Sequence, residues 1–216
     1  MCGIVGFIDP ASRDARAICE AMLPALAHRG PDDSGTWVDP TFGVALGHRR
    51  LSIVDLSPAG HQPMTSVPGR YVMVFNGEIY NHSAIRHELE AAGGAPHWRG
   101  HSDTETLLAA IERWGLHAAL NATVGMFALA VWDRAGHRLT LARDRIGEKP
   151  LYFGRQGRAL LFGSELKPLK HHPAFRGEVD RGALALFLRH NYVPDPFCIY
   201  AGLEKLQPGG WVEFGS

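Results

Sequence analysis

A cysteine directly follows the initiator methionine, in the opening segment Met1-Cys2-Gly3-Ile4-Val5-Gly6. Removal of Met1 leaves Cys2 with both a thiol and a free α-amine. The ordinary pKa of an α-amine is about 7.7–8.0 and that of a thiol about 8.5. A nucleophile and a base of suitable strength would then lie a few bonds apart. The position predicts N-terminal thiol chemistry, although any residue can follow methionine by chance.

A thiol that attacks an amide carbonyl also needs donors for the oxyanion that forms. Asn76-Gly77-Glu78 follows an apolar, strand-like segment and offers such donors. The Asn76 amide has two N–H groups, and Gly77 allows its own backbone N–H to approach a reacting atom closely. The pair is therefore a candidate oxyanion hole. Because Asn-Gly is also the commonest hairpin-turn signal, a simple turn is the structural alternative.

Two charged positions could hold the ends of a substrate. Arg49 and Arg50 precede a β-branched segment, and a guanidinium fork matches a carboxylate bidentately. Asp103 follows Ser102 in a capping-box pattern, and its carboxylate could bind an ammonium group. The structural alternatives are a solvated arginine pair and a favourable charge at a helix N-terminus.

Composition narrows the class of protein. The 216 residues suffice for one large domain, and 45% hydrophobic with 20% charged residues is typical of a globular protein. Lys+Arg and Asp+Glu both number 22, so neither a nucleic acid nor a membrane surface is indicated as a partner. No apolar segment could span a bilayer, and no signal peptide is recognisable. Three cysteines without a C-x-x-C pattern favour the cytoplasm, and the histidine spacings do not predict a metal site.

Hydrophobic periodicity predicts an α+β fold in which sheets lie between helical layers. Residues 28–35 form a predicted turn-rich loop. The predicted strands are 3–8, 42–46, 71–75, 126–132, 138–143, 151–153, 160–162 and 211–214, the later ones forming antiparallel hairpins. The predicted helices are 12–26 with a cap at Ser12, 81–92 with Gly93 as its stop, one that begins at Ser102, and short helices near 164 and 180.

Six ordered segments together resemble the glutaminase domain of class II glutamine amidotransferases, which are N-terminal-nucleophile hydrolases. They are the segments 1–6, 28–35, 48–55, 75–81, 102–105 and 142–152. The segment Arg50-Leu51-Ser52-Ile53-Val54-Asp55 resembles the glutamine-hydrolysing asparagine synthetase branch of that class, and the end at 205–210 resembles the family's exit from this domain.

The resemblance implies a four-layer αββα fold with two stacked antiparallel sheets. It also implies that Cys2 is the nucleophile, with its own α-amine as the base, and that Asn76 and Gly77 form the oxyanion hole. Arg50 would hold the glutamine α-carboxylate. The remaining implied substrate-binding residues are Leu51, Ser52, Ile53, Val54, Glu78 and Asp103.

The same resemblance implies a second domain that uses ATP and magnesium, and residues 1–216 lack its Ser-Gly-Gly-x-Asp-Ser motif. We expect one glutaminase domain, without a cofactor of its own, that supplies ammonia to a synthetase domain on the same or a separate chain. A different ammonia acceptor, a glutamine-binding regulatory module and a homodimer remain open at this stage.

Overall fold

In the computed structural model, which describes residues 1–215, eleven strands form two antiparallel sheets. The strands are β1 (Gly3–Ile8), β2 (Asp33–Asp39), β3 (Val44–Arg50), β4 (Met64–Thr65), β5 (Tyr71–Ile79), β6 (Gly125–Asp133), β7 (Arg138–Arg143), β8 (Tyr152–Gln156), β9 (Ala159–Gly163), β10 (Leu203–Lys205) and β11 (Trp211–Gly215). The helices are α1 (Ala15–Met22), α2 (His82–Ala91), α3 (Asp103–Trp114), α4 (Leu116–Ala122), α5 (Leu166–Leu169) and α6 (Arg181–His190).

The two sheets stack face to face between helices. The first sheet has the order β10-β8-β9-β1-β3-β2, and the second has the order β11-β7-β6-β5-β4. One apolar cluster, with Ile4, Leu46 and Trp132 among its members, fills the space between the sheets. A second cluster packs α2, α3 and α4 against the second sheet, and a third packs α1 and α5 against the first. The predicted αββα arrangement is confirmed.

Because side chains alternate along β3 and β5, polar side chains lie at one end of the layer between the two sheets. Side chains alternate between the two faces of a strand, and in β3 the buried Val44 and Leu46 face the other sheet. Arg50 shares their parity, and extension of the β1–β3 register by one pair places it opposite Cys2. Asn76 shares the parity of Val72 and Val74 in β5. The nucleophile candidate and its two main polar partners therefore belong to the inner faces of both sheets.

Most predicted elements are confirmed, some with shifted ends. β1 and β7 have the predicted bounds, and β6–β7 and β8–β9 are antiparallel hairpins, although each hairpin belongs to a different sheet. The predicted 28–35 loop is wrong at its end, because β2 begins at Asp33 and pairs along the whole of β3. The segments β2, β4, β10 and α4 were not predicted; of these, β4, β10 and α4 are short and gain their stability from tertiary packing.

Two predicted caps need correction. Helix α1 does not begin at Ser12, because Asp14 accepts a hydrogen bond from the Ala17 N–H and caps the helix there. At α3, the Ser102 hydroxyl accepts from the Glu105 N–H as predicted. The reciprocal half of the capping box is absent among the described residues, because the Glu105 carboxylate accepts from the backbone amides of Arg99 and Gly100 instead.

None of the helices in residues 1–215 is long and apolar enough to cross a membrane.

Candidate active site

A cavity of about 90 Å³ opens where the inter-sheet layer meets the N-terminus of α3. Strands of both sheets and the loop after β3 contribute to its wall. Its lining residues are Met1, Cys2, Arg50, Leu51, Ile53, Val54, Asp55, Gly60, Gln62, Phe75, Asn76, Gly77, Glu78, Ser102, Asp103, Thr104, Met126 and Lys149. At this end of the sandwich, the space between the sheets is therefore lined by polar as well as apolar side chains.

Cys2 is held from both sides at the start of β1. Its Sγ lies 3.4 Å from the Leu51 backbone nitrogen and 3.5 Å from the Leu51 carbonyl oxygen. Its own carbonyl accepts a hydrogen bond of 2.9 Å from Arg29 Nε. Burial raises the pKa of the Cys2 thiol above its ordinary value, while the Leu51 N–H, the chain's terminal ammonium and the Arg50 guanidinium oppose that rise. The resting group is therefore a thiol that requires a base before it can attack.

Arg50 lies at the end of β3 and is 8% exposed. Its Nη1 donates to the Ser57 carbonyl at 3.0 Å and its Nη2 donates to the Asp55 carbonyl. These carbonyls hold the guanidinium in place without neutralising its charge. Since a guanidinium has five donors, three remain for a ligand carboxylate in the cavity.

The edge of β5 next to the cavity leaves two N–H donors open. Alternation along an antiparallel strand directs the N–H groups of Phe75, Gly77 and Ile79 to the same edge. The Phe75 N–H donates a hydrogen bond of 2.7 Å to Gln62 Oε1, and the Ile79 N–H donates one of 2.9 Å to Asp103 Oδ2. The Gly77 N–H between them, like the buried Nδ2 of Asn76, has no hydrogen-bond partner in residues 1–215.

Gly77 is fixed by the close approach of the neighbouring strand. A Cβ at this position would lie 2.2 Å from the Met126 carbonyl oxygen and 2.7 Å from the Phe127 Cα. Backbone atoms of a paired strand cannot move aside cheaply, so a side chain does not fit here. The glycine therefore belongs to the strand pairing and not to a hairpin turn, and the turn interpretation of Asn76-Gly77 is wrong.

Asp103 brings a buried carboxylate to the cavity from the start of α3. It is 5% exposed at the first position of α3, where Oδ2 accepts from Ile79 N–H and Oδ1 accepts from Thr104 N–H at 2.8 Å. Burial raises the pKa of Asp103, and these two backbone amides oppose the rise. Glu78 also lines the cavity, so the lining carries two acidic side chains as well as the Arg50 guanidinium.

This arrangement of thiol, open donors and opposed charges coincides with a family match over the whole chain. A family model described as "Glutamine amidotransferase domain" matches residues 1–216. The chain belongs to this family. Among its relatives, Asparagine synthetase [glutamine-hydrolyzing] 3 of Bacillus subtilis is 36% identical over 221 residues, which cover 100% of this chain and 35% of that protein. The putative asparagine synthetase [glutamine-hydrolyzing] of Mycobacterium tuberculosis is 37% identical over 226 residues, 97% of this chain and 34% of that protein.

The glutamine amidotransferase domain therefore spans about a third of the length of the curated relatives that it matches.

Solved structures share its fold. The glutamine phosphoribosylpyrophosphate amidotransferase from B. subtilis, in complex with ADP and GMP, superposes with a TM-score of 0.64 at 22% identity, covering 78% of this chain and 43% of that one. A structure of the allosteric regulatory enzyme of purine biosynthesis gives a TM-score of 0.65 at 22% identity, over 79% of this chain and 43% of that one.

The domain's cavity collects the site residues predicted from the sequence with two exceptions among the described residues. Arg49, the other arginine of the predicted pair, does not line it, and its Nε donates to the Gly30 carbonyl at 2.8 Å. Ser52 is also absent from the lining, and its backbone N–H donates to Asp32 Oδ2 at 2.8 Å. This bond anchors the loop from the outside, between Leu51 and Ile53, which do line the cavity. No group of three or more His, Cys, Asp or Glu side chains in residues 1–215 is placed to hold a metal ion.

Sequence reasoning missed several residues of the wall. Gln62 and Thr104 come from separate segments, and Gln62 carried no recognisable signal in the sequence. Asp55 and Lys149 lie inside segments that carried the family resemblance but received no role. Lys149 is 6% exposed and its Nζ lies 3.2 Å from the Met1 sulfur. These contacts join residues distant in sequence, so only the fold could reveal them.

Proposed function

We propose that this domain hydrolyses glutamine to glutamate and ammonia through a thioester on Cys2. The observation that carries the proposal is the pair of unpartnered donors, Asn76 Nδ2 and Gly77 N–H, in the same cavity as the thiol. A buried donor without a partner costs about 1–3 kcal/mol. The buried Asn76 donor and the neighbouring Gly77 N–H are both explained if an oxyanion accepts from them in the transition state, where loss of one donor typically costs about 100- to 1000-fold in rate.

The proposed chemistry begins once the Met1–Cys2 peptide bond has been cleaved. The freed α-amine of Cys2 takes the thiol proton while Sγ attacks the side-chain amide carbon of glutamine. The tetrahedral intermediate collapses as its C–N bond breaks, and the same proton passes to the leaving nitrogen, so ammonia departs. Water, with its proton taken by the α-amine, then attacks the thioester to release glutamate and restore the thiol.

The charged walls of the cavity suit the amino-acid end of glutamine. The three open donors of Arg50 match an α-carboxylate, which gains from bidentate, charge-assisted hydrogen bonds. Asp103 and Glu78, which line the same cavity, would accept from the α-ammonium. The loop from Leu51 to Val54 would close one side of the site, with Ser52 acting through its bond to Asp32.

We further propose that the ammonia goes to a synthetase domain that makes asparagine from aspartate, as the names of the relatives suggest for those proteins. ATP and magnesium would bind that second domain and not residues 1–216. A second candidate is the same glutaminase with a different acceptor. The two share every residue described above, so the identity of the acceptor depends on the second domain.

The glutaminase proposal is tested with protein whose Met1 removal has been verified by intact-mass spectrometry. We expect the processed protein to release glutamate and ammonia from glutamine. Cys2→Ala should reduce kcat to below about one-thousandth, because the nucleophile is lost while folding is not affected. Cys198→Ala is the matched control: it removes a buried thiol that does not line the cavity and should leave kcat near the wild-type value.

Wild-type activity in Cys2→Ala would contradict the mechanism. Calorimetry distinguishes the regulatory-module alternative, because a sensor would bind glutamine without producing ammonia. Binding without turnover in the processed wild-type protein would favour that alternative over the enzyme.

A further inference from the structure

The backbone of Phe75, immediately before Asn76, is held by two buried side chains from outside its own sheet. Gln62 Oε1 accepts from the Phe75 N–H at 2.7 Å, and His48 Nε2 donates to the Phe75 carbonyl at 3.0 Å. Strand β4 is only two residues long, Met64–Thr65, and pairs with β5 only as far as Met73. Gln62 and His48 therefore take the place of a neighbouring strand where that strand has ended.

Gln62 also reaches the second wall of the site. Its Nε2 donates to Thr104 Oγ1 at 3.3 Å, and the Thr104 hydroxyl lies 3.5 Å from Asp103 Oδ1. The side chain is 5% exposed and lines the cavity. One amide thus links the strand that carries Asn76 and Gly77 to the helix start that carries Asp103.

The two ends of this amide are not equivalent. The Phe75 N–H can only donate, so it requires the acceptor oxygen of Gln62. If Thr104 donates to Asp103, its oxygen accepts from the Gln62 NH₂ group, which forms a directed chain from Gln62 through Thr104 to Asp103. Such a bond matters at an open strand edge, because a small displacement of catalytic donors can cost about 100-fold in rate.

We propose that Gln62 is a positioning residue that holds the Asn76 and Gly77 donors in register with Cys2 and couples them to Asp103. The inference rests on the proposed glutaminase function. It adds a residue that does not touch the reacting atoms and acts through the Phe75 backbone. Its loss would affect the stabilisation of the oxyanion while the nucleophile itself stayed intact.

The test compares glutamine turnover with a Cys2 reaction that needs no oxyanion hole. Gln62→Met keeps the length of the side chain but removes both hydrogen bonds. We expect kcat for glutamine to fall at least about 10-fold. The rate of Cys2 alkylation by iodoacetamide, followed by peptide mass spectrometry, should stay within about 2-fold of wild type, because that displacement forms no oxyanion. Asn76→Ala serves as the reference for a lost oxyanion donor and should show the same pattern.

Two further variants separate the ends of the amide. Gln62→Glu retains an acceptor for Phe75 N–H and should recover most of kcat, with KM raised because a second buried carboxylate adjoins the Asp103 wall. Thr104→Val removes only the link to α3 and should raise KM more than it lowers kcat. Together, the variants should show that loss of the hydrogen bond to Phe75 lowers kcat, whereas loss of the hydrogen bond to Thr104 raises KM.

Wild-type kcat in Gln62→Met would overturn the inference. A fall in kcat accompanied by a lower Tm and faster Cys2 alkylation would also overturn it, since that pattern indicates general loosening of the fold. If Gln62→Met does not fold, a kcat loss in Gln62→Glu as large as that of Asn76→Ala would overturn the inference. Absence of glutaminase activity in the processed wild-type protein would instead contradict the proposed function, so the two failures are distinguishable.

Discussion

Among single residues, the fold keeps the Cys2 thiol and the His48 imidazole in their uncharged forms. Burial keeps Cys2 as a thiol, so its reactivity depends on a base and not on a permanently formed thiolate. His48 is fully buried between the sheets, and burial lowers its pKa to about 4. Because the Phe75 carbonyl can only accept, His48 must carry its proton on Nε2, which leaves the buried Nδ1 without a partner in the described part of the chain.

His48 makes stability depend on pH below neutrality. Between the ordinary value of 6.5 and about 4, the unfolded chain binds a proton at His48 that the folded chain does not. We therefore expect the free energy of unfolding to decrease as pH falls through this window, by up to about 3 kcal/mol, and the contribution to be constant above it. Urea unfolding at a series of pH values measures this decrease.

The control variant is His48→Gln, whose side-chain amide can donate to Phe75 but does not titrate. Burial also lowers the pKa of His172, but that group is common to both proteins and cancels in the comparison. The wild-type protein should lose more stability than His48→Gln between pH 6.5 and about 4. Identical pH profiles would show that His48 does not titrate as described.

At the scale of elements, the loop after β3 decides where Arg50 points. The short 3₁₀ turn Pro58–Gly60 packs directly against the guanidinium. A Cβ on Gly60 would lie 2.0 Å from Arg50 Nη2. Since Nη2 is the far end of a flexible side chain, it can move away at little cost to the fold. Its bonds to the Ser57 and Asp55 carbonyls would be lost in that movement.

Gly60→Ala should consequently impair substrate binding more than stability. Loss of a charge-assisted contact to the glutamine carboxylate corresponds to about 1.5–3 kcal/mol, or roughly a 10- to 100-fold rise in KM. Steady-state kinetics with glutamine, together with a thermal melt, measures both effects. Gly215→Ala is the matched control, because a Cβ there meets no atom within 4 Å. A lower Tm with unchanged KM would show that Gly60 serves the fold and not the position of Arg50.

At the scale of the whole molecule, the two stacked sheets bring Cys2 and Asn76 together. Cys2 immediately precedes β1 of the first sheet and Asn76 lies in β5 of the second, and the apolar cluster between the sheets fixes their separation. The relatives show that a domain of this kind also occurs as about a third of a longer protein. In the proposed function, this domain provides only ammonia, and the synthetase domain provides the second reaction.

This proposed division of labour predicts a selective defect when the domain acts together with its proposed synthetase domain. With aspartate, ATP and magnesium, Cys2→Ala should abolish asparagine formation from glutamine but retain it when ammonium is supplied directly. The physical reason is that the thiol is needed only to release ammonia. Chromatographic quantification of asparagine measures both reactions, and the wild-type protein should use either nitrogen source.

Loss of the ammonium-dependent reaction in Cys2→Ala would indicate that Cys2 serves both domains. Retention of the glutamine-dependent reaction would contradict the role of Cys2. Turnover of ATP and ammonium without asparagine, in either protein, would favour the different-acceptor candidate.

The nucleophile candidate, most strands and helices, and the segments that carry the family resemblance could all be identified from local sequence patterns. These depend on local patterns: residue position, a period of two or 3.6, and short motifs such as the cap at Ser102. Asn76-Gly77 shows the limit of such patterns, because the same dipeptide fits a hairpin turn and a strand. The pairing with β6, which leaves no space for a side chain at Gly77, resolved it.

Which polar groups have hydrogen-bond partners, and which remain open, depends on how the elements pack in three dimensions. Gln62 and His48 reach Phe75 from other parts of the chain, and Asp103 reaches Ile79 across 24 positions. The Gly77 N–H is open because β4 pairs with β5 only as far as Met73, so no strand reaches this part of the edge. Hydrogen-bond partners of this kind depend on distances between sheets and helices, which no local sequence pattern encodes. The sequence therefore identified the reactive residues, and the packing of the two sheets determined how they meet.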